Sequence, residues 1–318
     1  MEIPNPMQED INKDLGLGTR VSQQSRLRFL NRDGSFNVGR RGISFFQSLS
    51  PYHALITMAW WKFNIIILLS YLFANTVFAF GYYLCGPDAL KGATGTTFPE
   101  LFLAGFFFSV QTLSTIGYGH VSPNGILPNI LVTLEALVGL LGFALATGML
   151  FARFSRPTAK IIFSKHAVIA PYKDITAFEF RIANERTNQL IEVEAKVLLS
   201  RFETADGKNV RKFYQLNLER QKVVFLPLHW VIVHPINEES PLFRVTKEQL
   251  EASDAEILIL LTAVDETFSQ TVHARSSYKH HEVVWNAKFA DMFQSADGGK
   301  LSVDLKKINE IETVAAEK

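Results

Sequence analysis

The stretch that decides the fold is "LFLAGFFFSVQTLSTIGYGH", residues 101–120. It joins an apolar run to a short segment in which two glycines flank a tyrosine. Glycine is costly inside a regular helix or strand, so Gly117 and Gly119 predict an unusual backbone. The apolar segments on either side indicate where in the molecule that backbone lies.

Two segments are long and apolar enough to cross a bilayer. Residues 63–84 carry no charge over 22 positions, and at 1.5 Å per residue they cover about 33 Å, against a bilayer core of about 30 Å. Residues 126–152 are interrupted only by Glu135. The alternative is a pair of buried helices in a soluble protein, but core helices seldom run this long without a polar face.

Composition excludes several classes of protein. A chain of 318 residues predicts about two domains. The net charge of +1 argues against a large basic surface, so no nucleic-acid partner is expected. Cys85 is the single cysteine and excludes an intrachain disulfide. Residues 1–50 are polar and predict no signal peptide.

The distribution of basic residues predicts the orientation in the membrane. Residues 1–62 hold eight Lys and Arg, residues 153–165 hold four more, and the loop between the spans has only Lys91. The positive-inside rule therefore places both termini in the cytoplasm and residues 85–125 outside.

The outer loop contains a third apolar run, residues 98–113. It is too short to span a bilayer, and Pro99 and Glu100 are helix-start signals. We therefore expect a re-entrant pore helix. Irregular backbone at membrane depth is tolerated only inside protein or beside a watery cavity, so the segment after this helix should line a cavity.

The glycines of that segment predict an ion-binding backbone. They allow dihedral angles that alternate in hand, so that successive carbonyls and the Thr115 hydroxyl face one axis. Four chains around the axis would provide rings of oxygen that replace the water around K⁺. The predicted filter residues are Thr115, Ile116, Gly117, Tyr118 and Gly119, with Tyr118 turned outward against aromatic rings of the pore helix. K⁺ is the only metal expected, as a permeant ion, and no cofactor is expected.

The sequence resembles the inward-rectifier potassium channels, and in particular their prokaryotic KirBac branch. The resemblance covers residues 29–290 and implies a K⁺-conducting homotetramer, in which each chain has three identical partners, in the bacterial inner membrane. The sequence contains no nucleophile-and-base motif, so no enzyme activity is expected. The resemblance is carried by "RFLNRDGSFNV" at 28–38, "SPYHALITMAWWKF" at 50–63, the filter, "VGLLGFALATGMLFARFSRP" at 138–157, "NEESPLF" at 237–243 and "ARSSY" at 274–278.

The second span carries candidate gate residues. Phe143, Thr147 and Phe151 recur every four residues and lie on nearly one helix face, close to Gly148. Packing against lipid or a neighbouring helix is the alternative. The resemblance implies that Phe143 stands where strongly rectifying relatives carry an acid. It also implies a bend at Gly148 and the narrow helix-bundle crossing at Phe151.

Glu135 is the one carboxylate inside a span, which makes it a functional-site hypothesis. We expect it behind the filter. Animal members of the resembled family pair a glutamate on the pore helix with an arginine after the filter, and the matching positions here are Gln111 and Val121. That bridge cannot form in this chain, and Glu135 with Gln111 is one candidate to replace it.

After residue 157 the pattern changes to short alternating segments. Ile191, Val193, Ala195 and Val197 alternate with charged residues, as in a half-buried strand. Residues 255–264 indicate a central strand, and the Asp-Gly pair at 206–207 indicates a turn. An all-β sandwich is predicted, and the resemblance implies an immunoglobulin-like one.

The predicted fold class is a helical membrane protein with two transmembrane helices and a re-entrant pore helix, joined to this cytoplasmic sandwich. By resemblance, Glu194 and Glu266 line a cytoplasmic pore and concentrate cations, with residues 267–271 at its apex. The alternative for Glu194 is a solvated acid. The predicted divisions are an N-terminal segment 1–49, an interfacial slide helix 50–62 with Trp60 and Trp61 at the membrane surface, a first span 63–84, a loop with pore helix and filter 85–125, a second span 126–154, the sandwich 155–300 and a tail 301–318.

Basic residues flank the inner ends of the spans: Lys62, Arg153, Arg156 and Lys160. Juxtamembrane cations attract anionic lipid, although positive-inside topology alone would also explain them. The resemblance implies modulation by anionic phospholipid or phosphoinositide, and for a bacterial channel it implies inhibition. The alternative function is a membrane-anchored, lipid-sensing sandwich without conduction, which leaves the filter sequence unexplained.

Overall fold

A computed structural model describes residues 27–37, 42, 50–156, 159–186, 188–205, 208–226, 228–295 and 301–314. The chain divides into two compact units. One, the helical unit, is Gly42–Arg156, and the other, the β unit, comprises Met1–Arg41 with Pro157–Lys318. The predicted turn at 206–207 lies outside the described residues, although Ala205 and Lys208 on either side of it are paired.

The helical unit is built from α1 (Pro51–Thr57), α2 (Trp60–Leu84), α3 (Phe98–Leu113) and α4 (Ile126–Phe154). Among the described residues, α2 and α4 are the helices apolar enough to cross a membrane, with mean hydropathies of 1.9 and 2.1. Only 17% and 6% of their most apolar windows are buried by the chain itself, which is unlike the core helix of a soluble protein. The two predicted spans are present.

The predicted helix at 50–62 is divided. Met58 and Ala59 are extended, with ψ of 162° and 146°, and separate α1 from α2. Trp60, Trp61 and Lys62 consequently belong to the spanning helix and not to the interfacial one. The sequence carries no stop signal here, since neither glycine nor proline follows Thr57, and the apolar spacing alone did not reveal the break.

The short helix α3 starts at a capping box. Glu100 Oε2 accepts hydrogen bonds from the main-chain amides of Thr96 and Thr97 at 3.0 and 3.1 Å. Such a box satisfies amides that have no partner within the helix. Packed against both α2 and α4, α3 contributes Phe108, which meets Tyr82 edge-on at 5.1 Å.

A two-residue ladder closes the loop around α3. Strands β1 (Leu90–Lys91) and β2 (Ser122–Pro123) pair antiparallel. The Asn124 amide also donates to the carbonyl of Ala89 at 2.8 Å. The segment that enters α3 is therefore tied to the segment that leaves the filter.

The β unit is a sandwich, as predicted. Its strands are β3 (Ile161–Phe163), β4 (Ala167–Tyr172), β5 (Ile175–Asn184), β6 (Leu190–Ala205), β7 (Lys208–Gln215), β8 (Lys222–Phe225), β9 (His229–Ile236), β10 (Glu256–Asp265), β11 (Gln270–Lys279), β12 (Val283–Trp285), β13 (Ala287–Phe289), β14 (Phe293–Ser295), β15 (Leu301–Val303) and β16 (Ile311–Thr313), with one short helix α5 (Lys247–Ala252).

Two five-stranded sheets form the sandwich. One sheet has the order β11-β10-β6-β7 with β8 beside β6, and the other has β12-β4-β5-β3 with β9 beside β5. Phe180 and Ile182 of one sheet and Val197 and Ile259 of the other lie in the shared core.

Strand β10 is central, as predicted, but the alternation in β6 is interrupted. Glu192 has a φ of 53°, and the register shifts so that two residues of β6 face one residue of β10. This is a β-bulge, whose extra residue puts the side chains before it out of phase with those after it. Leu190 is therefore buried in place of Ile191, while Val193 remains buried.

Residues 301–314 do not form a separate tail. Strand β15 pairs with β14, and β16 pairs with β13. Ile308 packs with Ala183 and Met292, while Ile311 packs with Val168. This segment covers the outer face of the β5 sheet, and its strands are too short to show a period-two pattern in the sequence.

Residues 27–37 also belong to the β unit. Leu30 bridges to Phe36, and Phe29 and Leu30 are buried against Leu258. The amides of Phe29 and Leu30 donate to the buried carboxylate of Glu256 at 3.0–3.2 Å. The described part of this motif, residues 28–37, therefore packs on β10, which no hydrophobic period in the sequence indicated.

Candidate functional site

The predicted filter has the backbone that its glycines require. Thr115, Gly117 and Gly119 have φ angles of 55°, 58° and 77°. Ile116 and Tyr118 lie between them and have negative φ. Left-handed backbone is uncommon for a residue with a side chain, so Thr115 is held there by its surroundings.

Main-chain amides of the filter point back to the end of α3. The amides of Ile116 and Gly117 donate to the carbonyl of Gln111 at 2.8 and 3.3 Å, and the Thr115 amide donates to Thr112 at 3.0 Å. No hydrogen bond from a described residue reaches the carbonyls of 115–119. These oxygens are therefore left available for a ligand.

Within one chain, Tyr118 does not pack on the pore helix. Its side chain is 75% exposed and meets no ring of α3 among the described contacts. The rings of α3 stack along their own helix instead, with Phe98 and Phe102 at 5.9 Å and Phe102 and Phe106 at 6.5 Å. Within one chain, aromatic packing does not hold the filter.

Apolar packing holds the segment after the filter. Val121 packs against the cluster of Tyr82, Leu90 and Phe108. Animal members of the resembled family have an ion pair between the positions that match Gln111 and Val121. In this chain Val121 makes an apolar contact instead, beside the β1–β2 ladder.

Glu135 lies behind the pore helix α3, but its hydrogen-bond partners are not the predicted ones. It is fully buried, the Tyr82 hydroxyl donates to its Oε2 at 2.5 Å, and a hydrogen bond joins its Oε1 to Ser109 Oγ. Among the described hydrogen bonds none joins it to the Gln111 side chain. Ser109 and Gln111 are two residues apart and lie on opposite sides of α3, so only Ser109 faces α4.

One turn further along α4, Gly139 brings the helix against the end of α3. A Cβ at this position would lie 2.9 Å from the carbonyl oxygen of Leu113. Any larger residue would push the helices apart at the point where α3 ends and the filter begins. The outer half of α4 is therefore fitted to α3 through both Glu135 and Gly139.

The inner half of α4 presents the predicted gate residues. Phe143 and Phe151 are 75% and 73% exposed, and Thr147 and Gly148 are exposed between them. The helix is continuous through Gly148 to Phe154. This face is left uncovered by the rest of the described chain.

Arg153 was predicted to bind lipid, but it is an internal residue with 9% exposure. Its Nη2 donates to the carbonyl of Met58 at 2.7 Å, and its Nη1 donates to the carbonyl of Leu55. The guanidinium lies 4.5 Å from the ring centroids of both Trp60 and Phe63. Carbonyls at the end of a helix lack intrahelical donors, and Arg153 supplies them for α1.

The other three predicted lipid residues differ in their surroundings. Lys62 is exposed, with its ammonium 5.4 Å from the ring of Trp61, and Arg156 is exposed. Lys160 lies in the β unit and pairs with Glu185 at 3.7 Å, with both side chains about half exposed. Lys62 and Arg156 are therefore the two members of the set that face outward from the helical unit.

Glu194 lies on a strand face of mixed charge. It pairs with Lys196 at 3.4 Å and is 43% exposed, while Glu192 beside it pairs with Lys222 at 3.0 Å. Exposed pairs of this kind contribute little to stability. They do, however, offset the negative charge that the cytoplasmic-pore hypothesis requires.

Residues 266–269 form the turn between β10 and β11, and Glu266 is exposed there. The buried Asp265 shapes the turn, because its Oδ1 accepts from the amides of Thr267 and Phe268 at 2.9 and 3.3 Å. The predicted apex loop is thus a tight hairpin. In the described parts of the chain, no group of three or more His, Cys, Asp or Glu side chains is arranged to hold a metal ion.

Comparison with known proteins agrees with this geometry in both units. A family profile described as "Ion channel" matches residues 65–156, and one described as "Inward rectifier potassium channel C-terminal domain" matches residues 161–318. Among solved structures, the sporulation control protein Spo0M of Bacillus subtilis covers 41% of this chain and 50% of its own at 9% identity, with a TM-score of 0.23, too low to carry an argument.

The relatives that match over most of this chain are named as channels. The inward rectifier potassium channel Kirbac3.1 of Paramagnetospirillum magnetotacticum is 41% identical over 89% of this chain and 95% of its own. The G protein-activated inward rectifier potassium channel 2 of Mus musculus is 26% identical over 93% of this chain and 74% of its own. The mouse G protein-activated inward rectifier potassium channel 3 is 28% identical over 87% of this chain and 75% of its own. The chain therefore belongs to the inward-rectifier potassium channels, of the prokaryotic KirBac type, and it is a membrane channel and not an enzyme.

Proposed function

We propose that four copies of this chain surround one axis and pass K⁺ through rings of oxygen supplied by residues 115–119. The proposal places the channel in the bacterial inner membrane with both termini in the cytoplasm. The observation that carries it is the alternation in hand at Thr115, Gly117 and Gly119. Because the amides of Ile116 and Gly117 are held by Gln111, the carbonyls are free to replace the hydration shell of the ion.

A tetramer would also account for exposed residues of the single chain. Tyr118 and Phe151 are 75% and 73% exposed in one chain. In the tetramer a neighbouring copy would cover Tyr118, and Phe151 would face the pore axis. A lipid-sensing anchor without conduction has no use for the backbone of the filter. We therefore favour conduction over that alternative.

Rb⁺ uptake into liposomes tests the filter. In Gly117→Ala a Cβ penalises the left-handed backbone, and uptake should fall at least about 100-fold. The matched control is Gly86→Ala, because Gly86 has a φ of 107° and open space around it, but it lies outside the filter. Selective uptake by an assembled Gly117→Ala tetramer would reject the filter assignment, and equal losses in both variants would attribute the effect to general strain.

We further propose that four Phe151 side chains form the gate. An apolar constriction excludes water and ions, so Phe151→Ala should raise resting uptake by about tenfold. Leu145→Ala is the matched control, since Leu145 is 66% exposed on the same helix but on another face. Unchanged uptake in Phe151→Ala would move the gate elsewhere, with the hairpin at 266–269 as the next place to test.

We also propose that anionic lipid headgroups inhibit the channel by binding Lys62 and Arg156. Each juxtamembrane cation contributes about 1 kcal/mol to attraction, so replacing either by glutamine should shift the inhibitory lipid concentration about fivefold. Lys160→Gln should shift it less, because Lys160 already has Glu185 as a partner. Identical dose–response curves for Lys62→Gln, Arg156→Gln and wild type would remove these residues from the mechanism.

We propose that Glu194 and Glu266 raise the local concentration of cations in the cytoplasmic pore by a small factor. Lys196 neutralises part of the field of Glu194, whereas Glu266 stands in an exposed turn. We expect Glu266→Gln to lower inward Rb⁺ uptake at low ionic strength more than Glu194→Gln does. The reverse order would mean that Lys196 is drawn away from Glu194 in the assembled channel.

A further inference from the structure

We propose that Glu135 is a positioning residue for the filter and that it works as an uncharged carboxylic acid. The inference rests on the proposed function, because it concerns the filter through which K⁺ passes. Glu135 is completely buried, and it joins α4 to Tyr82 of α2 and to Ser109 of α3. It is thus a point where all three pore-forming helices of the chain meet.

A count of protons indicates the state of the acid. Asn75 donates from Nδ2 to the carbonyl of Tyr71 at 2.7 Å, so its Oδ1 is the atom that faces Ser109 Oγ at 3.0 Å. The Ser109 hydroxyl has a single proton and lies between two acceptors, Asn75 Oδ1 and Glu135 Oε1. If Ser109 donates to Asn75, the hydrogen bond to Glu135 needs a proton on the acid.

With that proton the network is complete. Glu135 donates from Oε1 to Ser109, Ser109 donates to Asn75, and Tyr82 donates to Oε2 of Glu135. With an ionised carboxylate, Asn75 Oδ1 and Glu135 Oε1 would both be acceptors, and the single proton of Ser109 could satisfy only one of them. No ion pair to Glu135 exists among the described residues, so nothing offsets the cost of a buried charge.

The same network extends to the residue before the filter. The Tyr71 hydroxyl lies 2.7 Å from Ser114 Oγ and donates to the carbonyl of Val110 at 3.4 Å. Ser114 directly precedes Thr115. The side of α2 that carries Tyr71 and Asn75 therefore contacts α3 at Ser109 and also at its C-terminal end.

Gly139 adds the contact from α4. It follows Glu135 by one helical turn and fits against the carbonyl of Leu113. Glu135 and Gly139 together set the depth of α3 between its neighbours. That depth determines where the Gln111 carbonyl holds the amides of Ile116 and Gly117, and so where the filter oxygens lie.

Substitutions separate the shape of Glu135 from its charge. In Glu135→Gln the amide donates to Ser109 and its oxygen accepts from Tyr82, so the network is preserved without a titratable group. In Glu135→Leu all three hydrogen bonds are lost or rearranged. Leu134→Ala is the matched control, since Leu134 is the next residue on α4, is 53% exposed and takes no part in the network.

The test is the ratio of Rb⁺ to Na⁺ uptake into liposomes, measured on assembled tetramers. We expect Glu135→Gln and Leu134→Ala to stay within about twofold of wild type, and Glu135→Leu to lose at least about tenfold in the ratio. A selective Glu135→Leu channel would overturn the positioning role. Loss of selectivity in Glu135→Gln equal to that in Glu135→Leu would show that the charge is required and would overturn the uncharged state.

Infrared spectroscopy provides a second measurement that does not depend on assembly of the leucine variant. The difference spectrum of wild-type minus Glu135→Gln tetramers at neutral pH should contain a protonated carboxyl band, because the bands of all other acids cancel in the difference. Absence of the band from this difference spectrum would overturn the uncharged state. The proposed function fails separately, if wild type itself does not prefer Rb⁺ to Na⁺.

Discussion

Buried ionisable side chains have different kinds of partner in the two units of this channel. In the β unit Arg211 is fully buried and pairs with Asp254 at 2.7 Å, and Lys279 pairs with the same Asp254 at 2.8 Å. In the helical unit Arg153 donates to main-chain carbonyls, and Glu135 bonds to hydroxyl groups. Neither of these two residues has a counter-ion in the described parts of the chain.

This difference indicates what the buried groups do. A charged pair inside a sandwich is costly to break, because removal of one member leaves the other charge without a partner. A buried group with neutral partners ties one helix to another, and its removal leaves no unpaired charge behind. We infer that the buried ion pairs of the β unit fix its stability, whereas Arg153 and Glu135 fix the relative positions of the helices in the helical unit.

The strongest test of the comparison is Asp254→Asn. Lys279 and Arg211 would lose a shared partner in a buried site, and we expect a loss of about 3–5 kcal/mol in the stability of the β unit. In a domain of this size that corresponds to a fall of roughly 10 °C in its apparent Tm. Although burial opposes it, hydrogen bonds from Lys279 and Arg211 hold the pKa of Asp254 below its ordinary value, which agrees with a charged pair.

Glu219→Gln is the matched control for that experiment. Glu219 pairs with Lys173 at the shorter distance of 2.5 Å, but the two side chains are 39% and 65% exposed. An exposed pair contributes at most about 1 kcal/mol. Equal losses of stability in the two variants would show that burial does not decide the strength of these pairs.

The second test concerns a buried acid of the β unit that has no close ion pair. Glu179 of β5 is 9% exposed, and burial raises its pKa to about 7, although Arg181 opposes the rise. The folded state binds this proton more tightly than the unfolded chain does. Its contribution to stability is therefore complete below the ordinary value of 4.5 and is lost as the pH rises through about 7.

Glu179→Gln should therefore make the β unit more stable than wild type at pH 8 and not at pH 4.5. The upper bound is about 3 kcal/mol, at 1.36 kcal/mol for each unit of pKa. Glu203→Gln is the control, and its effect on stability at pH 8 should have the opposite sign. Burial raises the pKa of Glu203, but hydrogen bonds from Tyr214 and Arg201 outweigh burial and hold that pKa below its ordinary value. Apparent Tm values across this pH range measure both, and a Glu179→Gln curve parallel to wild type would contradict the assignment.

The sequence predicted those features whose cause lies within a few residues. The apolar spans, the helix start at Pro99 and Glu100, and the left-handed backbone at Gly117 and Gly119 depend on local length and sterics. The central strand β10, between β6 and β11, was also predicted, because residues 255–264 form an apolar run of the length of a strand.

The sequence did not predict contacts between residues distant in the chain. Arg153 and Met58 are 95 positions apart, and Phe29 and Glu256 are 227 apart. An arginine after a span has the same local pattern whether it faces lipid or a helix end. The bulge at Glu192 was missed for a related reason, since it depends on the register with β10 and not on β6 alone.

The smallest expected effect separates the two roles of basic residues at the inner end of α4. Arg153→Gln removes the donors to the carbonyls of Leu55 and Met58, which should cost about 2 kcal/mol. Amides of α1 should then exchange with solvent about 30-fold faster, a change that hydrogen-exchange mass spectrometry detects in the assembled channel.

Arg156→Gln is the matched control, because it removes the same charge from an exposed residue three positions away. We expect this variant to leave exchange in α1 unchanged and to shift the inhibitory lipid concentration, whereas Arg153→Gln should have the larger effect on α1. Equal exchange in α1 for both variants would mean that Arg153 does not hold α1. A shift in lipid response confined to Arg153→Gln would restore it as a lipid ligand, and the contrast between neutral partners in the helical unit and ion pairs in the β unit would then fail at that residue.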